Sequence, residues 1–195
     1  MKCTKALEQE SLQIAKLHKE FIPTGFLSQQ SLNFLNVLYL FLIRHEIVYV
    51  IKEDDKVVGF IAATLHTEGL FKSFLKNNIG LLMKFSLSNL FSLTFFKKAV
   101  ETLMAPQKIA IDNLDNTVPE LLSIVVDKYY AGRGYGKKML VCLEEEFKTS
   151  HENVYKVIVG ANLEANSFYR NNGFNKEKEI ELHKGDLSYV YMKKL

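Results

Sequence analysis

The chain has 195 residues with 25 basic and 22 acidic side chains, a formal charge of +3, and its length favours one domain over residues 1–195. A hydrophobic share of 48% and a charged share of 24% are globular values that exclude a disordered chain. So mild a charge reads against a nucleic-acid binder, and the apolar run Val37–Ile43 is far short of the ~18 residues of a membrane span.

The first residues, MKCTKALEQE, carry acids early and no apolar block, which reads against a signal peptide. Two cysteines, Cys3 and Cys142, cannot make a disulfide framework, and no CxxC or HxxxH pair offers a metal site. A reduced, cytoplasmic protein is the expectation.

In chain order, a short strand is expected at Cys3–Leu7. An amphipathic helix follows, with Ile14, Leu17, His18 and Phe21 on one stripe. Pro23 and Gly25 break it, and a second helix runs over Ser28–His45 with Leu35, Leu38, Phe41 and Leu42 on its apolar face. His18 and His45 read as packing or surface residues. The period then changes. Ile47–Glu53 and Lys56–His66 are β-branched runs joined at Asp54-Asp55, a tight hairpin.

Residues 70–104 return to helical character, an excursion between two strands that reads as a helical insertion over about 67–106, split near Ser86–Ser92. Leu121–Val126 is a buried strand that leads through Asp127–Gly132 into a helix, Gly134–Thr149. Val154–Gly160 is a further strand, Glu164–Asn171 a short helix, and Glu177–Lys184 with Leu187–Lys193 a last hairpin. This order specifies a mixed α/β sheet in one domain.

Gly132, Gly134 and Gly136 alternate where a strand hands over to a helix. Without Cβ atoms such a loop can turn its N–H groups toward an anion, and the helix N-terminus adds partial positive charge and free amides. Lys137 and Lys138 in the first turn oppose the helix dipole, a conflict that an anionic ligand relieves. The Rossmann fingerprint fails because Lys137 stands three after Gly134. The Walker pattern fails at Ala131 and Lys138. The other reading is a glycine-rich turn that packs helix on sheet.

A second segment, Asn162 to Phe174, places Asn162 to cap a helix, and Gly173-Phe174 fits a Schellman end. Ala131-Gly-Arg-Gly-Tyr-Gly136 matches [RQ]-x-x-G-x-[GA] except at its first position, and Asn162 to Phe174 matches N-x-x-A-x-x-F-Y-x-x-x-G-F throughout. Together these segments resemble the GNAT superfamily of acetyl-CoA-dependent N-acetyltransferases, sharply over about 118–176 and by element order elsewhere.

The resemblance implies a mixed, mostly antiparallel twisted sheet flanked by helices, with the insertion between the third and fourth strands. It further implies acetyl-CoA as co-substrate and an amine acceptor, expected to be a small molecule, while the mild charge leaves no nucleic-acid partner expected. Main-chain groups of Ile124, Val125 and Val126 would hold the acetyl carbonyl and pantetheine arm in a splay between two parallel strands. Amides of the Ala131–Lys137 loop, from Gly132, Arg133, Gly134, Gly136 and Lys137, would cradle the pyrophosphate, with Tyr135 and Phe168 beside the cofactor. Asn162 would bond the pantetheine.

Tyr169 would protonate the departing thiolate, and a phenol suits that task because its pKa near 10 lies above a thiol's near 8.5. The plainer reading of Tyr169 is a packed aromatic. Ala131 departs from the usual Arg or Gln, and Arg133 is placed to compensate.

An amine must lose a proton before it attacks. Glu120, at the entry to the fourth strand, is the candidate base and acceptor contact, with Ser123 and Glu46 weaker choices. Its other reading is a solvated strand-end charge. Phe21, Phe26 and Tyr135 read either as an apolar mouth for the acceptor or as core. The insertion holds five lysines against two glutamates, which accounts for the whole net charge. It reads as a helical pair packed on the sheet or on a second subunit, as a lid over an anionic acceptor such as a nucleotide-linked amino sugar, or as a membrane-surface contact. The further alternatives are a peptide N-acetyltransferase and a non-catalytic acyl-CoA-binding module.

Overall fold

The computed structural model describes residues 1–22, 24–25, 27–70, 72–78, 117–183 and 186–195. Its elements are β1 (Cys3–Lys5), α1 (Ser11–Phe21), α2 (Leu32–His45), β2 (Ile47–Glu53), β3 (Lys56–Thr64), β4 (Glu120–Val126), α3 (Tyr135–Thr149), β5 (Val154–Gly160), α4 (Ala165–Asn171), β6 (Asn175–His183) and β7 (Asp186–Lys194). The seven strands lie in the order β1-β2-β3-β4-β5-β7-β6. Every neighbouring pair is antiparallel except β4 and β5. The expected mixed, mostly antiparallel sheet flanked by helices is the one observed. Residues 72–78 are helical, and the rest of the expected insertion, from 79 on, lies outside the described residues.

The two faces of the sheet hold separate cores. Ile14 and Leu17 of α1, and Phe34, Leu35, Leu38, Tyr39, Phe41 and Leu42 of α2, pack on Val50, Phe60 and Ala62, with Phe74 joining them. On the other face Met139, Leu140, Leu143 and Phe147 of α3 cover Val58, Ile61, Ala63 and Leu121. The central strand β3, covered on both faces, is accordingly an apolar run rather than an alternating one. Fully burying each such Leu, Ile or Phe contributes about 1.5–3 kcal/mol, so both helical layers are held by their apolar stripes.

Local differences from the sequence reading have local causes. The second helix begins at Leu32 rather than Ser28 because the Ser31 side chain caps it, accepting from the Phe34 N–H at 3.2 Å, while Leu27–Gln29 forms a separate 3-10 turn. At the β2–β3 hairpin Asp54 takes a positive φ of 52°, a conformation Asp tolerates better than most residues. In β4, Ala62 pairs with Ser123 but Ala63 pairs with Leu121. Leu122 is thus an extra residue, a β-bulge. Leu122 packs against the α1–α2 core, and the Ser123 hydroxyl also meets that layer, 3.3 Å from the Tyr39 hydroxyl.

Candidate active site

β4 and β5 pair parallel only at Glu120–Lys156 and Leu121–Val157, with a further bond from the Lys156 N–H to the Pro119 carbonyl at 2.9 Å. Beyond Leu121, β4 continues to Val126 and β5 to Gly160, yet the two strands no longer pair with each other. The result is a V between two neighbouring parallel strands, floored by the Glu120–Lys156 pair. Main-chain N–H and C=O groups that face such a gap are free to pair with an extended ligand, the logic by which a sheet edge takes up a strand. Ile124 and Val126 turn toward the α3 layer and Val125 toward the α1–α2 layer.

The glycine loop begins where β4 ends. The Asp127 carboxylate accepts from the Tyr129 N–H at 3.0 Å and starts the 3-10 turn Lys128–Tyr130. The Tyr130 hydroxyl donates to Glu53 on β2, which ties the loop's stem to the β2–β3 hairpin. Gly132 and Gly134 both have φ near 76°, where any other L-residue would be strained.

Gly134 is the N-cap of α3 and has no side chain to cover the helix end. The first bond of the helix runs from the Lys138 N–H to the Gly134 carbonyl at 3.0 Å, so the amides of Tyr135, Gly136 and Lys137 have no acceptor within the helix. With residues 131–134 exposed, the end of α3 presents these amides and its dipole to an anion. Ala131 contributes only main chain. Arg133 stacks 5.0 Å from the Tyr130 ring centre and reaches the Tyr129 carbonyl at 3.4 Å.

The second motif packs directly on the first. A Cβ on Gly136 would come within 2.9 Å of the Phe168 ring, so only glycine lets the N-terminus of α3 lie this close to α4. The expected Schellman end is present: the Phe174 N–H bonds the Tyr169 carbonyl, the Gly173 N–H bonds the Arg170 carbonyl, and the Tyr169 and Phe174 rings meet edge to face at 5.2 Å.

One expectation is corrected. Asn162 does not cap the helix; it is exposed, and Glu164 occupies the N-cap without a side-chain bond. Asn166 organises the turn instead, its buried amide donating to the carbonyls of Gly160, Ala161 and Leu163 at 2.9, 3.1 and 2.7 Å. The motif's fixed positions gave no sign of it, although Asn side chains commonly bond nearby backbone groups in turns.

Tyr169 sits among Phe168, Phe174 and Tyr191, its ring stacked on Tyr191 at 6.2 Å. Burial pushes its phenol well above the ordinary tyrosine range, so it stays protonated at neutral pH. Glu120 lies across the sheet from it, since Leu121 points to the α3 layer and Glu120, next along the strand, to the other. Its Oε2 is 3.7 Å from Lys156 Nζ, and the two side chains are 13% and 3% exposed. The solvated strand-end reading of Glu120 is therefore set aside. Burial pushes its carboxyl up, and Lys156 partly offsets that.

Lys156 escaped the motifs, but a lone lysine inside the strand VYKVIVG was a signal: a charge there needs a buried partner. Glu46 is half-buried and likewise shifted up by burial, against a Thr64 hydrogen bond and the nearby His45 and His66. Phe21 packs at the edge of the α1–α2 core and Tyr135 at the edge of the α3 core. Phe26 lies outside the described residues.

Comparison with known families decides what these parts belong to. The model of the acetyltransferase (GNAT) family matches residues 13–174. The chain belongs to the GNAT acetyltransferase family. Solved structures share its fold: an N-acetyltransferase from Staphylococcus aureus Mu50, 17% identical with a TM-score of 0.62, covers 98% of this chain and 100% of its own. The PaiA N-acetyltransferase from Thermoplasma acidophilum, in complex with coenzyme A, is 14% identical with a TM-score of 0.60, over 100% of this chain and 98% of that one. The NatC complex bound to Gag peptide and CoA is 12% identical with a TM-score of 0.58, over 100% and 99%. No curated protein matches the chain.

GNAT enzymes draw their acetyl group from acetyl-CoA, and acetyl-CoA-dependent acetyl transfer is the activity of this family. The observed features fit that ligand: an anion-binding helix end for a pyrophosphate and an unpaired strand edge for the amides of a pantetheine arm. No described helix is long and apolar enough to cross a membrane, and no described group of His, Cys, Asp and Glu could hold a metal.

Proposed function

We propose that the chain is an N-acetyltransferase that acetylates a primary amine of a small molecule by direct attack, without a covalent enzyme intermediate. The observation that carries this reading is the V between β4 and β5, with the glycine loop at its mouth and a carboxylate at its floor. In it the amides of Gly132, Arg133, Gly134, Gly136 and Lys137 hold the pyrophosphate, and the main chain of Ile124–Val126 with Asn162 holds the pantetheine. Acetyl-CoA supplies an activated acyl group.

Tyr169 gives its proton to the leaving sulfur, a role its buried, protonated phenol suits. Glu120 takes the proton of the acceptor ammonium, directly or through water, and its raised affinity for a proton makes it a better base than a solvated carboxylate. The basic, apolar segment 67–106 favours an anionic acceptor, and an amino sugar or nucleotide-linked amino sugar is the first class to try. The same segment is the proposed surface for a second subunit.

The test is thiol release from acetyl-CoA over a panel of amino sugars, nucleotide-linked amino sugars, polyamines and peptides. Turnover with a small amine is expected. Preference for peptide N-termini would move the acceptor class, and acetyl-CoA binding without turnover on any amine would leave a binding module.

A further inference from the structure

The floor of the V is made by two charged side chains that the strands bring face to face. Glu120 and Lys156 are register partners at the start of a parallel ladder only two pairs long. Their charged ends are 3.7 Å apart and both side chains are nearly withdrawn from water. A buried ammonium is costly without a carboxylate beside it, and a buried carboxylate reverts to its acid form without a cation.

The surroundings are otherwise weakly charged. On β3, Thr64 stands opposite Glu120. Glu46, at the end of α2, lies near Thr64, His45 and His66. From the helical layer, His18 of α1 and Tyr39 of α2 bond each other at 2.6 Å, and Tyr39 reaches Ser123 on β4. Among these described groups Lys156 is the one that acts electrostatically on Glu120.

We propose that Lys156 is a positioning residue of acetyl transfer: its ammonium holds the Glu120 carboxylate charged and fixed at the floor of the V. The inference rests on the reading of Glu120 as the base. In the reaction one ammonium proton passes to Glu120, the amine nitrogen bonds the acetyl carbon and gives its second proton to water, the carbon–sulfur bond breaks, and sulfur takes the Tyr169 proton. Exchange with water returns both side chains to their starting forms, and Lys156 stays an ammonium throughout. Burial alone would keep Glu120 protonated to higher pH; Lys156 opposes this.

The test titrates the Glu120 carboxyl in the full chain by infrared difference spectroscopy, using Glu120→Gln to identify its band. Lys156→Met is expected to move the midpoint upward by about one pH unit or more, a tenfold change in the proton equilibrium, and Lys156→Arg to return it. With the amine that turns over best, the acid limb of the kcat profile should move by the same amount while KM for acetyl-CoA stays within about twofold.

An unmoved midpoint, or a loss of rate that is equal at every pH, overturns the proposal. If Lys156→Met does not fold, Lys156→Gln replaces it, and the unaltered chain must still show Glu120 as carboxylate at pH 7.5; an acid band there overturns the proposal too. A Glu120→Gln chain that turns over at the full rate would instead overturn the base reading itself.

Discussion

Tyr169 is a packed core aromatic to which the proposed mechanism also gives the role of acid. Its ring is locked by three aromatic neighbours, and the same burial keeps its phenol protonated. Tyr169→Phe preserves the packing and removes the proton. The expected result is a fall in kcat of about a hundredfold, the low end for general acid catalysis, with acetyl-CoA affinity unchanged; stopped-flow binding and steady-state rates separate the two. Equal kcat would leave Tyr169 a packing residue.

His18 is the other informative side chain at this scale. It is buried, bonded to Tyr39, and held down to a pKa of about 4 by loss of water, with Lys19 adding to the effect. An unfolded histidine titrates near 6.5. Between those values the unfolded chain takes up a proton that the folded one refuses. The contribution is therefore complete above about pH 6.5 and lost as pH falls toward 4, on the order of 3 kcal/mol. Urea unfolding at pH 7.5 and pH 5 should show His18→Gln losing less stability on acidification than the unaltered chain.

Among the elements, the contact between α3 and α4 explains why two motifs far apart in sequence occur together. Gly136 belongs to the first and Phe168 to the second, and the absence of one Cβ lets them meet. Gly136→Ala should push the ring or the helix aside, at about 1–3 kcal/mol for overpacking, and weaken acetyl-CoA binding by about tenfold through the displaced amides. Calorimetry of Gly136→Ala with Phe168→Leu should recover most of that affinity; no recovery would mean that the two helices are not coupled through this contact.

Much of this was legible in sequence. Two strands, Ile47–Glu53 and Val154–Gly160, fall where their β-branched runs begin and end, and the helix stop at Gly173 follows from its neighbours. What sequence could not show depends on long-range pairing. The bulge at Leu122 arises from β3 and the helical layer together. Lys156 meets Glu120 only because β4 and β5 are neighbours, and Asn166 replaces Asn162 because the turn's carbonyls converge on it.

The molecule as a whole is a sheet left open at one seam. Its antiparallel ladders hold six or seven residue pairs in β2–β3, β3–β4, β5–β7 and β6–β7, three of them broken by register shifts, while the parallel ladder stops after two. The α3 layer packs on residues of both strands beside the seam, Leu121, Ile124 and Val126 of β4 and Tyr155, Val157 and Val159 of β5. The spare positive charge of the chain lies in 67–106, apart from the glycine loop and the Asn162–Phe174 segment.

The most direct measurement of the central claim is amide hydrogen exchange of the full chain with and without acetyl-CoA. Slowed exchange is expected in two stretches, 122–126 along the open edge of β4 and 132–137 at the start of α3. Protection confined to other segments, or none at saturating acetyl-CoA, would contradict it.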